Sequence, residues 1–561
     1  MKISGASALM RSLVNQGVDI IFGYPGGAIM PAYDALYHNR KHIKHILVRH
    51  EQGAAHAAEG YARLSGKVGV CLATSGPGAT NLVTGIADAM MDSVPIVCIT
   101  GQVASHLVGT DAFQEADVIG ITTPITKWNC QVTKPEEIPY IIAKAFYIAS
   151  SGRPGPVLID ITKNAQTEVF DYKPVKKVSL DSYKPNKHIS LAHIKKAAKL
   201  INSAHRPLLL VGHGIHISHA YKELLTFVNK TGIPIASTLH GLSSIPANHK
   251  SYVGLLGMHG KYGANVLTNQ ADVIIAIGMR FDDRVTGRVA DYARQAKIIH
   301  IDIDEAEIDK IIKTTLSIVG DGRQVLERLI PFVKKNSFDD WLSEFRRYDE
   351  IEYEKVTRKE LTPSNGSILM AQVIDILSNL TKGKAVVVAD VGQHQMVAAR
   401  YYNFDRENSF ITSGGLGTMG FALPASIGAK FGSLGRDVIA IIGDGSFQMT
   451  IQELATIAQE KLAIKVIILN NNYLGMVRQW QELFFDKRYS FVDLQNPDFV
   501  AVAKGFHIEA EKVSHKHALA DGLKRLLSKN GPYLLEVIVE KEENVFPMVP
   551  SGAACDEVVL E

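Results

Sequence analysis

The 561-residue chain contains only four cysteines, Cys71, Cys98, Cys130 and Cys555, and no two of them stand in a CxxC spacing. That scarcity excludes a disulfide scaffold and a thiolate metal site, and it suits packing thiols in a reducing compartment. Charge bias is also missing: 60 basic residues against 57 acidic ones leave a formal +3. So small an excess argues against nucleic acid or an anionic membrane as partner, and small molecules are expected instead. No apolar run reaches the length of a membrane span without a charge or a glycine turn. No leader is recognised before the first helical pattern, so a cytoplasmic location is expected. Short repeats and low-complexity tracts are absent too.

What the chain does have is alternation of strand and helix patterns on a length that exceeds one core. Strand-like runs "VGVCLATSGPG", "VPIVCITGQ" and "GPVLIDIT" occupy the first part, and "RPLLLVGHG", "ADVIIAIGMRFDDR" and "AKIIHIDID" the middle. The last part carries "AVVVADVGQH", "VIAIIGDGS" and "IKVIILNNN". A Lys-rich stretch with two Lys-Pro breaks, "EVFDYKPVKKVSLDSYKPNKH", reads as a linker, and the charged "DDWLSEFRRYDEIEYEKVTRKELTP" as a second boundary. The expectation is an α/β protein of three doubly wound parallel-sheet domains, at 1–168, 188–340 and 364–561.

At 438–459 the chain reads "VIAIIGDGSFQMTIQELATIAQ", a β-branched run, a Gly-Asp-Gly-Ser turn and a helical pattern. Glycines at such a turn bring backbone N–H groups close to an anion, whereas a carboxylate there repels phosphate unless a cation lies between. Magnesium wants hard oxygen ligands. Asp444 offers one, and Asn471, 27 residues on and just past the next strand, offers another on the same sheet edge. The Tyr473 carbonyl is a third candidate. Taken alone, Asp444 as a helix cap and Asn470 to Asn472 as a turn remain open. The chain holds a control in "VGDGR" at 319–323, where the residue 27 beyond Asp321 is Tyr348, no metal partner.

"GDGSFQMT" followed by "IILNNNYLGM" resembles the fingerprint of thiamine-diphosphate-dependent enzymes, in which the Asp, the Asn and a backbone carbonyl hold magnesium against the cofactor's diphosphate. "ILVRHEQGAAHAAEGYARLSGK", "GYPGG" and "SGPGATN" resemble the first domain of that family and make Glu51 the residue that activates the aminopyrimidine. Glu59 is expected to be a solvated helix charge or a partner of the site, and His50 and His56 to be packing residues. "GTDAFQE", "GMRFDDRVTG", "GGLGTMGFALPA" and "GMVRQWQELFF" extend the resemblance over essentially the whole chain to the acetohydroxyacid synthase family.

That resemblance implies roles residue by residue. Gln114 becomes a polar contact near the reacting centre and Gly27 a backbone contact by the thiazolium. Met419 keeps the cofactor bent, and the Gly417 carbonyl receives the pyrimidine amino group. Gln393, His394, Gly445, Ser446, Gly475 and Met476 surround the diphosphate. Arg284 suits a ketoacid carboxylate through its planar fork and Trp480 an apolar wall, while Lys163 matches a residue near the substrate entrance. The central domain has no GxGxxG, which disfavours a nicotinamide dehydrogenase. The family nevertheless binds FAD there, and the matching segments put Arg153, His259, Arg280, Asp302 and Asp321 in contact with it.

The activity so implied is decarboxylation of pyruvate and ligation to a second pyruvate or to 2-oxobutanoate. It uses thiamine diphosphate, Mg2+ and FAD, in a homodimer or homotetramer whose sites draw Glu51 and Asp444 from different subunits. A small regulatory subunit is compatible with that reading. A pyruvate oxidase and an inactive relative are the alternatives. Ala104 stands where plant and yeast members carry proline, which bears on inhibitor sensitivity, and "FPMVPSGAACDEVVLE" matches a tail that closes over the channel.

Overall fold

The computed structural model describes residues 1–185, 188–363, 366–433 and 435–561. Asn186 and Lys187 of the expected linker, and Ser364 where the third segment was expected to start, lie outside the described residues.

Three six-stranded sheets carry the molecule, and every strand pair within them is parallel. The strands are continuous apolar runs such as Val438–Gly443 and Ile464–Asn470 because helices cover both faces. In the first sheet the spatial order is Lys44–Leu47, Ile20–Gly23, Gly69–Ala73, Ile96–Gln102, Val157–Thr162, Trp128–Val132. The third sheet repeats that order with Phe410–Ile411, Val386–Ala389, Val438–Gly443, Ile464–Asn470, Tyr533–Ile538, Glu509–Val513. The central sheet differs: Tyr252–Leu255, Ile235–Ser237, Pro207–Val211, Val273–Ile277, Lys297–Asp302, Leu316–Val319, the order of a dinucleotide-binding fold. Outside them, Val169–Asp171 of the Lys-rich stretch pairs antiparallel with Lys2–Ser4.

The first and third sheets share a core. Helix Glu51–Ser65 of the first packs on helix Ala422–Gly432 of the third, and the side chains around the crossing form one apolar cluster. Glycine makes the close approach possible. A Cβ on Gly428 would stand 1.6 Å from the Ala57 carbonyl oxygen, and one on Gly60 2.0 Å from that of Ala425. The crossing places the start of helix Glu51–Ser65 beside the third sheet. Among the described residues no helix is long and apolar enough to cross a membrane.

Candidate active site

Strands Val438–Gly443 and Ile464–Asn470 run side by side with Gly443 paired to Leu469, so Asp444 and Asn471 leave the sheet on one edge. Strand Val386–Ala389 lies on the other side of Val438–Gly443, and helix Gln393–Tyr401 follows it. The strand order reverses here, which opens a crevice at the strand ends. A small cavity occupies it, lined by Gln393, His394, Met419, Asp444, Asn471 and Tyr473 together with Gly445, Ser446, Gly475 and Met476.

Asp444 and Asn471 are both buried. The Asp444 Oδ2 accepts from Asn496 Nδ2 at 2.7 Å, and Asn471 Oδ1 accepts the Tyr473 N–H at 3.1 Å, which turns the chain back along the edge. Burial pushes the Asp444 carboxyl up to about 6. Gln393 Nε2 donates to Gln479 Oε1 at 2.9 Å and to the Glu543 carbonyl at 2.7 Å, leaving its Oε1 to face Asn471 Nδ2 at 3.4 Å. Burial drives the His394 ring down to about 3, and its Nε2 has no hydrogen-bond partner among the described residues.

These features fit a magnesium diphosphate. Asp444, Asn471 and a main-chain carbonyl are hard oxygen donors. Gly443, Gly445 and Gly475 leave the backbone bare where a side chain would collide with His394, Leu474 and Gln393. The unpartnered His394 nitrogen is a polar atom that an anion would satisfy.

The other half of the expected site sits on the first sheet, also beyond its strand ends. Glu51 opens helix Glu51–Ser65, which His50 caps by accepting the Gln52 N–H on Nδ1. Its carboxylate is buried and accepts from Asn81 Nδ2 at 2.9 Å. Gln114, at φ 59°, packs against Gly76, and Gly27 is exposed with open space where a Cβ would be. Neither Glu51 nor Gly27 nor Gln114 lines the cavity at Asp444. Gly417 is exposed with φ 73°, and Lys163 is exposed at the start of a short helix. Arg284 is exposed too, its Nε 3.8 Å from Asp283, while Trp480 is half-buried and stacks obliquely on Phe484.

A larger cleft lies between the first and central sheets. Arg153, Arg280, Asp302 and Asp321 line it, at the ends of strands and the start of a helix. Arg153 donates to Ser93 Oγ at 2.8 Å and to Glu307 Oε1 at 2.7 Å. Burial pushes the Asp302 carboxyl up to about 6. Asp321 caps helix Gly322–Leu329 by accepting the Gln324 N–H. The bare strand-end glycines and a basic residue across from an acidic one suit a nucleotide with its ribose and phosphates. His259 lies elsewhere, buried under the C-terminal segment with Nδ1 3.2 Å from the Pro547 carbonyl oxygen.

Glu59 is not a solvated charge. It is completely buried beside His56 and Asp88 of helix Val83–Asp92, and its Oε1 lies 2.9 Å from His56 Nδ1. Sequence reasoning also passed over Glu453, whose buried Oε1 accepts the N–H groups of Arg49 and His50 at 2.9 and 3.1 Å and so anchors the turn before Glu51 to the third sheet. Asn496, which donates to Asp444, Asn470 and Asn472, was missed as well. Nothing local marks either residue; both act on groups far away in sequence.

Family models for the thiamine pyrophosphate enzyme match three stretches: the N-terminal TPP binding domain at 3–121, the central domain at 194–329 and the C-terminal TPP binding domain at 390–537. The chain is 47% identical to the acetolactate synthase large subunit of Corynebacterium glutamicum, over 99% of this chain and 90% of that one. It is 45% identical to the acetolactate synthase large subunit of Lactococcus lactis, over 99% and 96%. To the acetolactate synthase isozyme 3 large subunit of Escherichia coli it is 44% identical, over 100% and 98%.

Proposed function

The chain belongs to the thiamine pyrophosphate enzyme family, and on that premise we propose how its residues serve the acetolactate synthase reaction. It is a thiamine-dependent enzyme that decarboxylates pyruvate and joins the remaining two-carbon fragment to a second pyruvate or to 2-oxobutanoate, a step in branched-chain amino-acid synthesis. In our reading 1–168 and 364–561 carry the thiamine site and 188–340 carries FAD, and the enzyme works in the cytoplasm.

Thiamine diphosphate, when bound, supplies an acidic thiazolium carbon that becomes the nucleophile towards a ketoacid carbonyl. Asp444, Asn471 and the Tyr473 carbonyl would hold Mg2+, with His394, Gly445, Ser446, Gly475 and Met476 around the diphosphate. Glu51, kept in place by Asn81, would hold a proton against the aminopyrimidine ring nitrogen. Its exclusion from the cavity at Asp444 supports a homodimer in which each copy brings Glu51, Gly27 and Gln114 to the other's cavity. Exposed Arg284 and half-buried Trp480 would bind the acceptor ketoacid, with Lys163 at the entrance. Arg153, Arg280, Asp302 and Asp321 would hold FAD, and His259 would reach it only after the C-terminal segment rearranges. A small regulatory subunit fits the "large subunit" names of the relatives.

The observation that carries this reading is the single edge shared by Asp444, Asn471 and Gln393 around a glycine-lined cavity. The test is turnover of pyruvate by the purified chain with thiamine diphosphate, Mg2+ and FAD, following acetolactate and dissolved oxygen together. Acetolactate without oxygen uptake is expected, lost on chelation of the metal and lowered by roughly a hundredfold or more in Glu51→Gln. Oxygen consumption without acetolactate would make the protein an oxidase instead.

A further inference from the structure

The segment 413–420 carries Met419, which lines the Asp444 cavity, and it has glycine at 414, 415, 417 and 420. Such a segment has little stiffness of its own. Its shape is imposed from outside, by buried carboxylates. Asp390 accepts the N–H groups of Gly420 at 2.9 Å and Ala422 at 2.8 Å, tying the far end to the third sheet. The near end is tied to a different sheet. Helix Val83–Asp92 of the first unit presents Asp88 and Asp92 one turn apart, both buried. Asp88 Oδ1 accepts from Ser413 Oγ at 2.5 Å, and that oxygen accepts the Thr418 N–H at 2.8 Å. Asp92 accepts the Gly414 N–H at 2.9 Å and the Gly415 N–H at 2.7 Å.

Asp92 has two further neighbours. Arg63 Nη2 donates to it at 2.8 Å, and His240 Nε2 of the central unit lies 3.0 Å away. Asp92 and His240 also line the central cleft, where the His240 ring stacks on His213 with centroids 5.2 Å apart. One carboxylate therefore touches groups from all three sheet units. The fit is tight: a Cβ on Gly414 would stand 2.2 Å from His240 Nε2, and one on Gly415 2.8 Å from Asp92 Oδ1.

We infer that Asp92 is a positioning residue for the thiamine site: it sets segment 413–419 against the Asp444 cavity, and through His240 makes that setting depend on what the central cleft holds. This rests on the thiamine reading above. Filling the cleft then steadies His240, His240 steadies Asp92, and Asp92 fixes the two glycine N–H groups.

The test uses the full chain, three single variants, Asp92→Asn, Gly415→Ala and His240→Gln, and the double variant Asp92→Asn with Gly415→Ala. Thiamine diphosphate binding at saturating Mg2+ is measured by calorimetry, retained flavin by its visible absorbance, and folding by thermal melting. Asp92→Asn and Gly415→Ala should each weaken thiamine diphosphate by about tenfold, the loss expected for charge-assisted hydrogen bonds to the segment, and the double variant should be little worse than either. His240→Gln should lose flavin and weaken thiamine diphosphate by about threefold, as should stripping flavin from the wild type. Variants that melt earlier yet bind thiamine diphosphate like the wild type would reduce Asp92 to a structural residue and overturn the proposal. Equal binding with and without flavin would sever the link to the cleft. Gly415→Ala keeps every charge, so it tests the segment even if Asp92→Asn does not fold. A wild type that binds thiamine diphosphate but makes no acetolactate would count against the parent reading and leave these comparisons standing.

Discussion

Replacing Gly475 by alanine sets two effects of opposite sign against each other. Gly475 opens helix Gly475–Phe484, and helix propensity alone favours alanine by about 1 kcal/mol. The added Cβ, however, would lie 2.1 Å from Gln393 Oε1 and 2.8 Å from Asn471 Nδ2. Gln393 must then withdraw by more than an ångström, and it is held by the 2.9 Å and 2.7 Å hydrogen bonds from its Nε2 to Gln479 and the Glu543 carbonyl. Losing those costs about 1 kcal/mol each, and overpacking adds about 1–3 kcal/mol, so the collision wins by roughly 2–4 kcal/mol. Asn471 is displaced at the same time, and Mg2+-dependent binding of thiamine diphosphate should weaken by at least about tenfold. Thermal melting of the ligand-free protein and a thiamine diphosphate titration at several Mg2+ concentrations measure both. A variant that melts above the wild type with an unchanged Mg2+ requirement would refute the placement of Gln393 and Asn471 around this cavity.

Gly428→Ala should cost about 3 kcal/mol or more, because its Cβ would stand 1.6 Å from the Ala57 carbonyl oxygen and only separation of the two helices relieves that; denaturant melts report it. His259 bears on pH. Burial lowers its ring from 6.5 to about 4, so the stability it confers is complete above 6.5 and is lost as the pH falls towards 4. His259→Asn, which can still donate to Pro547, should therefore gain on the wild type by about 3 kcal/mol across that window, read from melts at stepped pH.

Much of the site was legible because its parts are local. A β-branched run, a Gly-Asp-Gly turn and an asparagine past the next strand describe neighbouring parallel strands joined by one helix, and such strands end on the same edge. Asp444 and Asn471 duly line one cavity. Asp321, at the other Gly-Asp-Gly turn, caps a helix at the end of strand Leu316–Val319. Glu59 went the other way. A glutamate in an alanine-rich helix looks solvated until helix Val83–Asp92 of the same unit brings Asp88 up beside it and His56.

By itself the sequence determined the α/β class, the positions of the strand-end turns and the chemistry of the residues they carry, since backbone sterics and side-chain periodicity act over a few residues. Tertiary structure alone decided which turns meet. That Glu51 stands apart from Asp444, that Glu453 anchors the turn before it, and that Asp92 holds a segment more than three hundred residues away all follow from how the helices of separate sheets pack. An apolar helix face announces that it will be buried; its partner is chosen by shape, by bare glycines at a crossing and by buried carboxylates finding backbone N–H groups, none of which has a spacing in the chain.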